Sequence, residues 1–411
     1  MRKTSWYKLD NIGKFYSATK SNFPIIFRYS VTLTEEVDAN LLQEALTSAI
    51  NDYPSFNCTL NKGFFWYYLE KVSKPYQVEE ENTPICYKMY KDSEDLLYRV
   101  NYYKNRINLE VSHILSDGRG TLGFFKNIIY RYLNLKYNLK VETEDNSSIY
   151  EKTEDSFDKY YTGPSLRTIT NKRIYHYRSR KKKDTTFLEY HISLTKFKDL
   201  AKKYQVTITS LIIAVWIKSF EKVMKEREKK KALKIDVPVD LRTIFPSTTS
   251  RNFFGLTSII YDNYNLALQD IATKVNELLK ENTKKDKIQV RMNQMISLEK
   301  NIGIRIVPSI IKDIALRITD DIVQNNTTSS VSNIGKIEVN KKLSPYIKNF
   351  NVLTSTKYIQ MTICSYEDDL SIGMSSRYIN NDIIKNFCNI LKDNNITGIM
   401  NINEEDSYEK M

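Results

Sequence analysis

The sequence predicts a mixed α/β (α+β) chain built from two similar halves, and three patterns carry that reading. Strand-like alternation in "FRYSVTLTEEV" (27–37) leads into helical spacing in "DANLLQEALTSAINDYP" (38–54). A second cycle runs from "TTFLEYHISL" (185–194) through two helical stretches to "ALKIDVPVDLR" (232–242). Near the end, "KYIQMTICSYEDDLSIGMSSRYINNDIIKNFCNIL" (357–391) repeats the strand, turn, strand and helix order of residues 97–130.

In the first half, Asp38 suits a helix N-cap and Pro54 a helix stop. "LLYRVNYY" and "INLEVSHI" flank the turn Lys104-Asn105-Arg106, which is a hairpin signal. Leu122, Phe124, Phe125, Ile128, Ile129 and Tyr132 then recur at helical spacing. Between hairpin and helix lies "SHILSDG" (112–118), so His113 falls on a strand-to-helix connection. From about residue 141 to 186 the chain is polar and aperiodic, as a crossover would be. The expected division is therefore 1–165, a linker at 166–186, and 187–411. In the second half "TKFKDLAKKYQ" (195–205) and "TITSLIIAVWIKSFEKVM" (207–224) read as helices, the latter buried. The 357–391 repeat puts Ser376 where His113 sits and Asn380 where Asp117 sits, so only one half carries the histidine.

Composition narrows the function classes. The chain has 411 residues, 41% of them hydrophobic, which suits a folded protein large enough for more than one core. No apolar run is long enough to span a bilayer, and the first ten residues lack a signal-peptide core; a cytoplasmic location is expected. Four scattered cysteines form no metal or redox motif, so reduced structural thiols are expected. The net charge of +13 is spread through a Lys-, Asn-, Ile- and Tyr-rich chain and gathers in Arg178–Lys183 and Lys225–Lys231, which read as solvated surface; a nucleic-acid or membrane-surface binder would need the charge gathered on one face.

Three accounts of His113 compete. A metal site would need ligands beyond Asp117, and His and Cys are scarce; no metal is expected. An ordinary loop histidine would be satisfied by a carbonyl. A general base would use its neutral imidazole to take a proton from an attacking hydroxyl or amine. Asp117 would then hold the turn, and Gly118 would permit a backbone angle other residues resist. His176 and His191 lie in basic or alternating surroundings and read as structural.

"SHILSDG" resembles the His-His-x-x-x-Asp-Gly signature of the CoA-dependent acyltransferase superfamily, with Ser112 in place of the first histidine. "VDLRTIFPSTTSRNFFG" (239–255), "SVSNIGKI" (330–337) and "VDANLLQEALTSAINDYPSF" (37–56) are similar to that family's segments in order and spacing. The resemblance implies two chloramphenicol-acetyltransferase-like halves in a V with a tunnel between them. It implies His113 as catalytic base, with Asp117 and Gly118 in its motif and Arg242 as Asp117's partner. Ser332 and Asn333 become oxyanion candidates, with strand register deciding which points inward. No bound cofactor is implied. The co-substrate would be an acyl-CoA thioester and the acceptor a small-molecule alcohol. The alternatives are a condensation-type, amide- or ester-forming enzyme fed by a carrier-protein thioester, with an amine as a further acceptor, and a silent binding scaffold.

Overall fold

The computed structural model describes residues 6–19, 25–89, 94–143, 145–165 and 172–403. Residues 166–171 of the expected linker lie outside the described residues.

The first half is organised around a five-stranded sheet in the order Ile347–Thr354, Ile26–Leu33, Arg106–Ser112, Tyr98–Tyr103, Glu79–Glu80. Alternation decides its two faces. Phe27, Tyr29, Val31, Ile107, Leu109 and Val111 pack with residues of helices Ala39–Asp52 and Gly118–Tyr137 in one apolar core. Asp38 caps the former helix, its carboxylate accepting from the backbone of Asn40 and Leu41. The opposite face is buried too, but polar. Glu110 sits between Arg99 (3.0 Å) and Arg28 (3.4 Å), and Asn108 accepts from Ser30 and donates to Asn101. Buried charges persist only when paired in this way.

The second half is a seven-stranded sheet ordered Phe254–Tyr261, Leu233–Asp240, Ser329–Lys336, Ile359–Tyr366, Asp369–Tyr378, Lys181–Ser193, Gly398–Asn403. Ser329–Lys336 runs parallel to both neighbours and every other pairing is antiparallel. Helices Ile208–Glu221, Leu268–Asn282 and Asp382–Asp393 contribute to its separate core, where Trp216 is fully buried and donates to Ser329 Oγ at 3.0 Å. A three-stranded sheet, Trp6–Lys8, Tyr67–Lys71, Cys58–Lys62, flanks the first half.

Two expectations change. The strand Ile347–Thr354 falls within the expected second half, yet it completes the first half's sheet by pairing with Ile26–Leu33. A boundary at 187 therefore does not separate two self-contained sheets. The polar stretch after residue 141 also holds single-turn helices, Ile149–Thr153 and Ser156–Tyr160. They are too short to give a period and are tied to the second half where Lys152 O accepts from Ser250 N (2.8 Å).

The internal repeat is visible in backbone detail. The hairpins close on Tyr103↔Arg106 and Tyr366↔Asp369, and Lys104 and Glu367, first in each two-residue turn, both take positive φ (50° and 48°). Counting equally far from each turn reaches His113 and Ser376. There the halves diverge: Ser376 is fully buried and the second strand runs on to Tyr378.

Candidate active site

His113 leaves the strand Arg106–Ser112 in a tight turn closed by Leu115 N donating to Ser112 O (2.9 Å). Four residues on, Asp117 caps the helix Gly118–Tyr137, its Oδ1 accepting from Gly120 N at 2.8 Å. The three residues between histidine and aspartate are therefore what a turn from strand end to helix cap requires.

The second half supplies what holds this turn. Arg242 follows the strand Leu233–Asp240 and grips Asp117 with both ends of its guanidinium, Nη1 to Oδ2 at 2.9 Å and Nη2 to Oδ1 at 3.2 Å. Its other donors reach the carbonyls of Thr249 and Arg251 and the carboxylate of Asp240. Phe253 N also donates to Asp117 Oδ2 (2.6 Å). The forked, charge-assisted geometry fixes direction as well as distance.

The imidazole is partly buried among rings. Tyr16 stacks on it (5.2 Å between centroids, 30° between planes), and Phe27 and Phe254 lie 4.7 Å and 5.6 Å away. Desolvation pushes its pKa down to about 4, although Asp117, Asn252 and the Ser116 backbone pull the other way. The ring is thus neutral, and able to accept a proton, throughout the physiological range.

Two residues that the motif does not announce complete the surroundings. Asn252 Oδ1 lies 3.5 Å from His113 Nδ1, while its Nδ2 donates to the His113 carbonyl (3.0 Å) and to Asp10 (3.2 Å). Asp10 is buried beside Arg251, and burial raises its carboxyl to about 6 against that arginine's pull. Asn252 stands in the "SRNFFG" stretch, a usable signal; Asp10 has only its position ahead of a helix, where it receives Gly13 N (2.7 Å).

Gly118 differs from expectation. Its φ is not positive, so conformational freedom is not its role; it starts a regular helix, and its carbonyl accepts from Tyr29 OH (2.7 Å). What a side chain would meet there is Ile334 Cδ1, at 2.9 Å. Gly120 is tighter, since a Cβ would lie 2.2 Å from the Ser250 carbonyl oxygen.

Ser332 and Asn333 lie on opposite faces of the strand Ser329–Lys336. Val331 packs into the second core, and Asn333 on the same face donates to Thr209 (2.7 Å). Gly335 takes φ of +88° at a bulge, and its N–H donates to Asn333 Oδ1 (2.8 Å). Asn333 is therefore exposed and occupied with the bulge. Ser332 pairs with Thr362, whose hydroxyl meets Thr354 of the first half's sheet (3.3 Å), so Ser332 is the one on the face turned towards the first half.

A cavity of about 780 Å³ opens between the halves beside Arg242, with Gly120, Gly123 and Thr249 in its wall; His113 is not part of that wall. Its charges balance, with Arg119, Lys126, Arg242 and Lys336 against Asp145, Glu151, Asp240 and Glu338. Among the described residues, no three His, Cys, Asp or Glu side chains are grouped to hold a metal ion. All four cysteines are free, and burial raises the thiols of Cys58 to about 12 and Cys388 to about 11. His191 is held by Asp369 (2.9 Å) and His176 is partly buried away from this cluster. Among the described residues, no single helix is long and apolar enough to cross a membrane.

No protein-family model matches the chain, and no curated protein matches it either. Solved structures do. TRI101 of F. sporotrichioides, complexed with coenzyme A and T-2, is similar with a TM-score of 0.63 and 11% identity over 99% of each chain. The epimerization domain from the third module of tyrocidine synthetase B gives 0.62 and 11% over 95% of each chain. Polyketide synthase associated protein 5 from Mycobacterium tuberculosis gives 0.63 and 11%, covering 94% of this chain and 97% of that one. The chain has the two-lobed fold shared by acetyltransferases and condensation-type domains.

Proposed function

We propose, from this fold as premise, that the chain is an acyltransferase that moves an acyl group from a thioester to a small-molecule acceptor, with His113 as general base. The observation that carries the reading is the His113 turn, locked by the Asp117–Arg242 fork across the two halves and closed in by Tyr16, Phe27 and Phe254. A neutral imidazole held this way costs little reorganisation when it takes a proton.

In the proposed step the acceptor's O–H gives its proton to His113 as its oxygen bonds to the thioester carbonyl carbon. The carbonyl electrons become an oxyanion, for which Ser332 Oγ is the favoured donor of the two candidates, since it faces the first half while Asn333 is engaged with Thr209. Such a donor is commonly worth about 3 kcal/mol. Collapse breaks the C–S bond, and the departing thiolate takes the proton back from the imidazolium. Asp117 and Arg242 act as positioning residues, and Gly118 and Gly120 let the halves approach.

An acyl-CoA donor and an alcohol acceptor are the first choice, supported by a similar structure that holds coenzyme A. A carrier-borne thioester, with an alcohol or amine acceptor, is the second, favoured by the balanced charge of the cavity wall, which does not select a polyanionic coenzyme. The test is release of free thiol from a panel of acyl-CoA and acyl-pantetheine donors with pooled alcohols and amines. His113→Ala is expected to lower donor- and acceptor-dependent turnover by at least about a hundredfold. Equal turnover in both proteins would remove His113 as the base.

A further inference from the structure

The helix Ser309–Gln324 is inside out. Its buried side is polar: Lys312 donates to the carbonyls of Phe65 and Arg305 and lies 3.6 Å from the centre of the Trp66 ring, Asp313 accepts from Lys62 (2.9 Å) and Tyr67 (2.8 Å), and Asp320 accepts from Lys357 (2.7 Å). Its outer side is a row of isoleucines. Ile310, Ile314, Ile318 and Ile322 follow one another a turn apart, joined by Ile311 and, just ahead of the helix, Ile306; all six are 55–67% exposed. A soluble helix ordinarily places such a stripe against its own core.

The stripe continues into a second apolar feature. The connection between strands Cys58–Lys62 and Tyr67–Lys71 presents Phe64 (71% exposed) and Phe65 (45%), and Ser309 N donates to the Phe64 carbonyl (2.8 Å). Two exposed phenylalanines thus stand at the N-terminal end of the helix that carries the isoleucine row, far more apolar material than scattered exposure leaves. The exposed guanidinium-bearing residues Arg305 and Arg317 border it, on a chain of net charge +13. Of the carboxylates on this helix, Asp313, Asp320 and Asp321 are all within reach of a lysine.

We propose that this surface docks on an anionic phospholipid bilayer, with the isoleucine row lying in the interface and the Phe64–Phe65 turn inserted beside it. An apolar face outward, cationic residues at its margin and an overall positive chain are what such a surface attracts. The docking does not depend on the acyltransferase reading. The same helix does reach the site, because Arg317 Nε donates to Ala18 O of helix Asn11–Thr19, which carries Tyr16 against His113.

Flotation with vesicles tests it, using phosphatidylcholine alone and phosphatidylcholine with phosphatidylglycerol. The wild-type chain is expected to float with the anionic vesicles, and less with the neutral ones. Ile314→Gln/Ile318→Gln and Phe64→Ser/Phe65→Ser should each lower partitioning at least about tenfold while keeping the wild-type melting temperature, because these side chains are exposed. Ile399→Gln, which removes an equally exposed isoleucine from the edge strand Gly398–Asn403, and His113→Ala should float like wild type. Wild type left in the aqueous phase with both vesicles overturns the proposal, as does an Ile399→Gln loss equal to that of the stripe variants. A wild-type dimer that dissociates in Ile314→Gln/Ile318→Gln and never floats would overturn it in favour of a second copy.

Discussion

A methyl group at position 120 has nowhere to go, because the oxygen it would meet belongs to the Ser250 backbone. At position 118 the obstacle is the far end of the Ile334 side chain, which can turn aside. Gly120→Ala should therefore destabilise the chain by about 2–3 kcal/mol in urea denaturation and Gly118→Ala by less than about 1 kcal/mol. The motif draws attention to Gly118, and the packing puts the harder constraint two residues later. At the histidine, burial moves the protonation that would silence a base down to about 4. The acid limb of kcat/KM should accordingly fall near that value rather than near the ordinary histidine value of about 6.5. A limb at the ordinary value would mean that the imidazole is solvated in the working enzyme.

At the scale of elements, the strand Ser329–Lys336 owes its shape to Gly335, whose φ of +88° is strained for any other residue. Gly335→Ala should cost about 1–3 kcal/mol. It should also lower kcat more than it raises KM if Ser332 serves the oxyanion, because the bulge sets the register of that face; a pure stability loss with unchanged kcat would detach Ser332 from the chemistry. Legibility in the sequence varies from element to element for physical reasons. The turn around His113 is readable because a strand end, a helix cap and their spacing are local, whereas Arg242 is named as Asp117's partner only by the family resemblance of residues 239–255, since the contact joins positions 125 apart. Asn252 and Asp10 act across long separations, and no local period registers their contacts. The strand Ile347–Thr354 alternates like any other, and alternation does not say which sheet a strand joins. The isoleucine spacing in Ser309–Gln324 reads like a core stripe, and only the polar partners of Lys312 and Asp313 turn it outward.

For the whole molecule, the two halves meet through apolar and polar contacts together: Cys364 and Tyr366 of the second sheet pack into the first half's core, Phe187 joins Ile26 and Leu353, and buried ion pairs lie among them. Arg106 reaches from the first half to Glu189, which lies near His191, itself paired with Asp369. Burial works against a charged His191, but Asp369 and Glu189 outweigh it and raise its pKa to about 9. A raised value means stability that is complete below the unfolded value of about 6.5 and lost as pH rises through about 9. His113 works in the opposite sense: its depressed value favours the folded chain above about 6.5 and withdraws that support as pH falls towards about 4. Urea midpoints should thus decline on both sides of neutrality. His191→Gln should be less stable than wild type near neutral pH and should flatten the alkaline decline alone. An unchanged alkaline slope would mean that His191 is not charged in the folded protein.

The strand that crosses between halves also sets an order of events during synthesis. Ile26 donates to the Ser355 hydroxyl across 329 positions of sequence. A ribosome working at about 5–20 residues per second needs on the order of tens of seconds to make that interval. Throughout it the edge of Ile26–Leu33 stands unpaired, the kind of edge on which chains aggregate. The nascent first half is therefore a client for whatever shields open sheet edges, and a chain cut short before residue 347 would leave it one permanently.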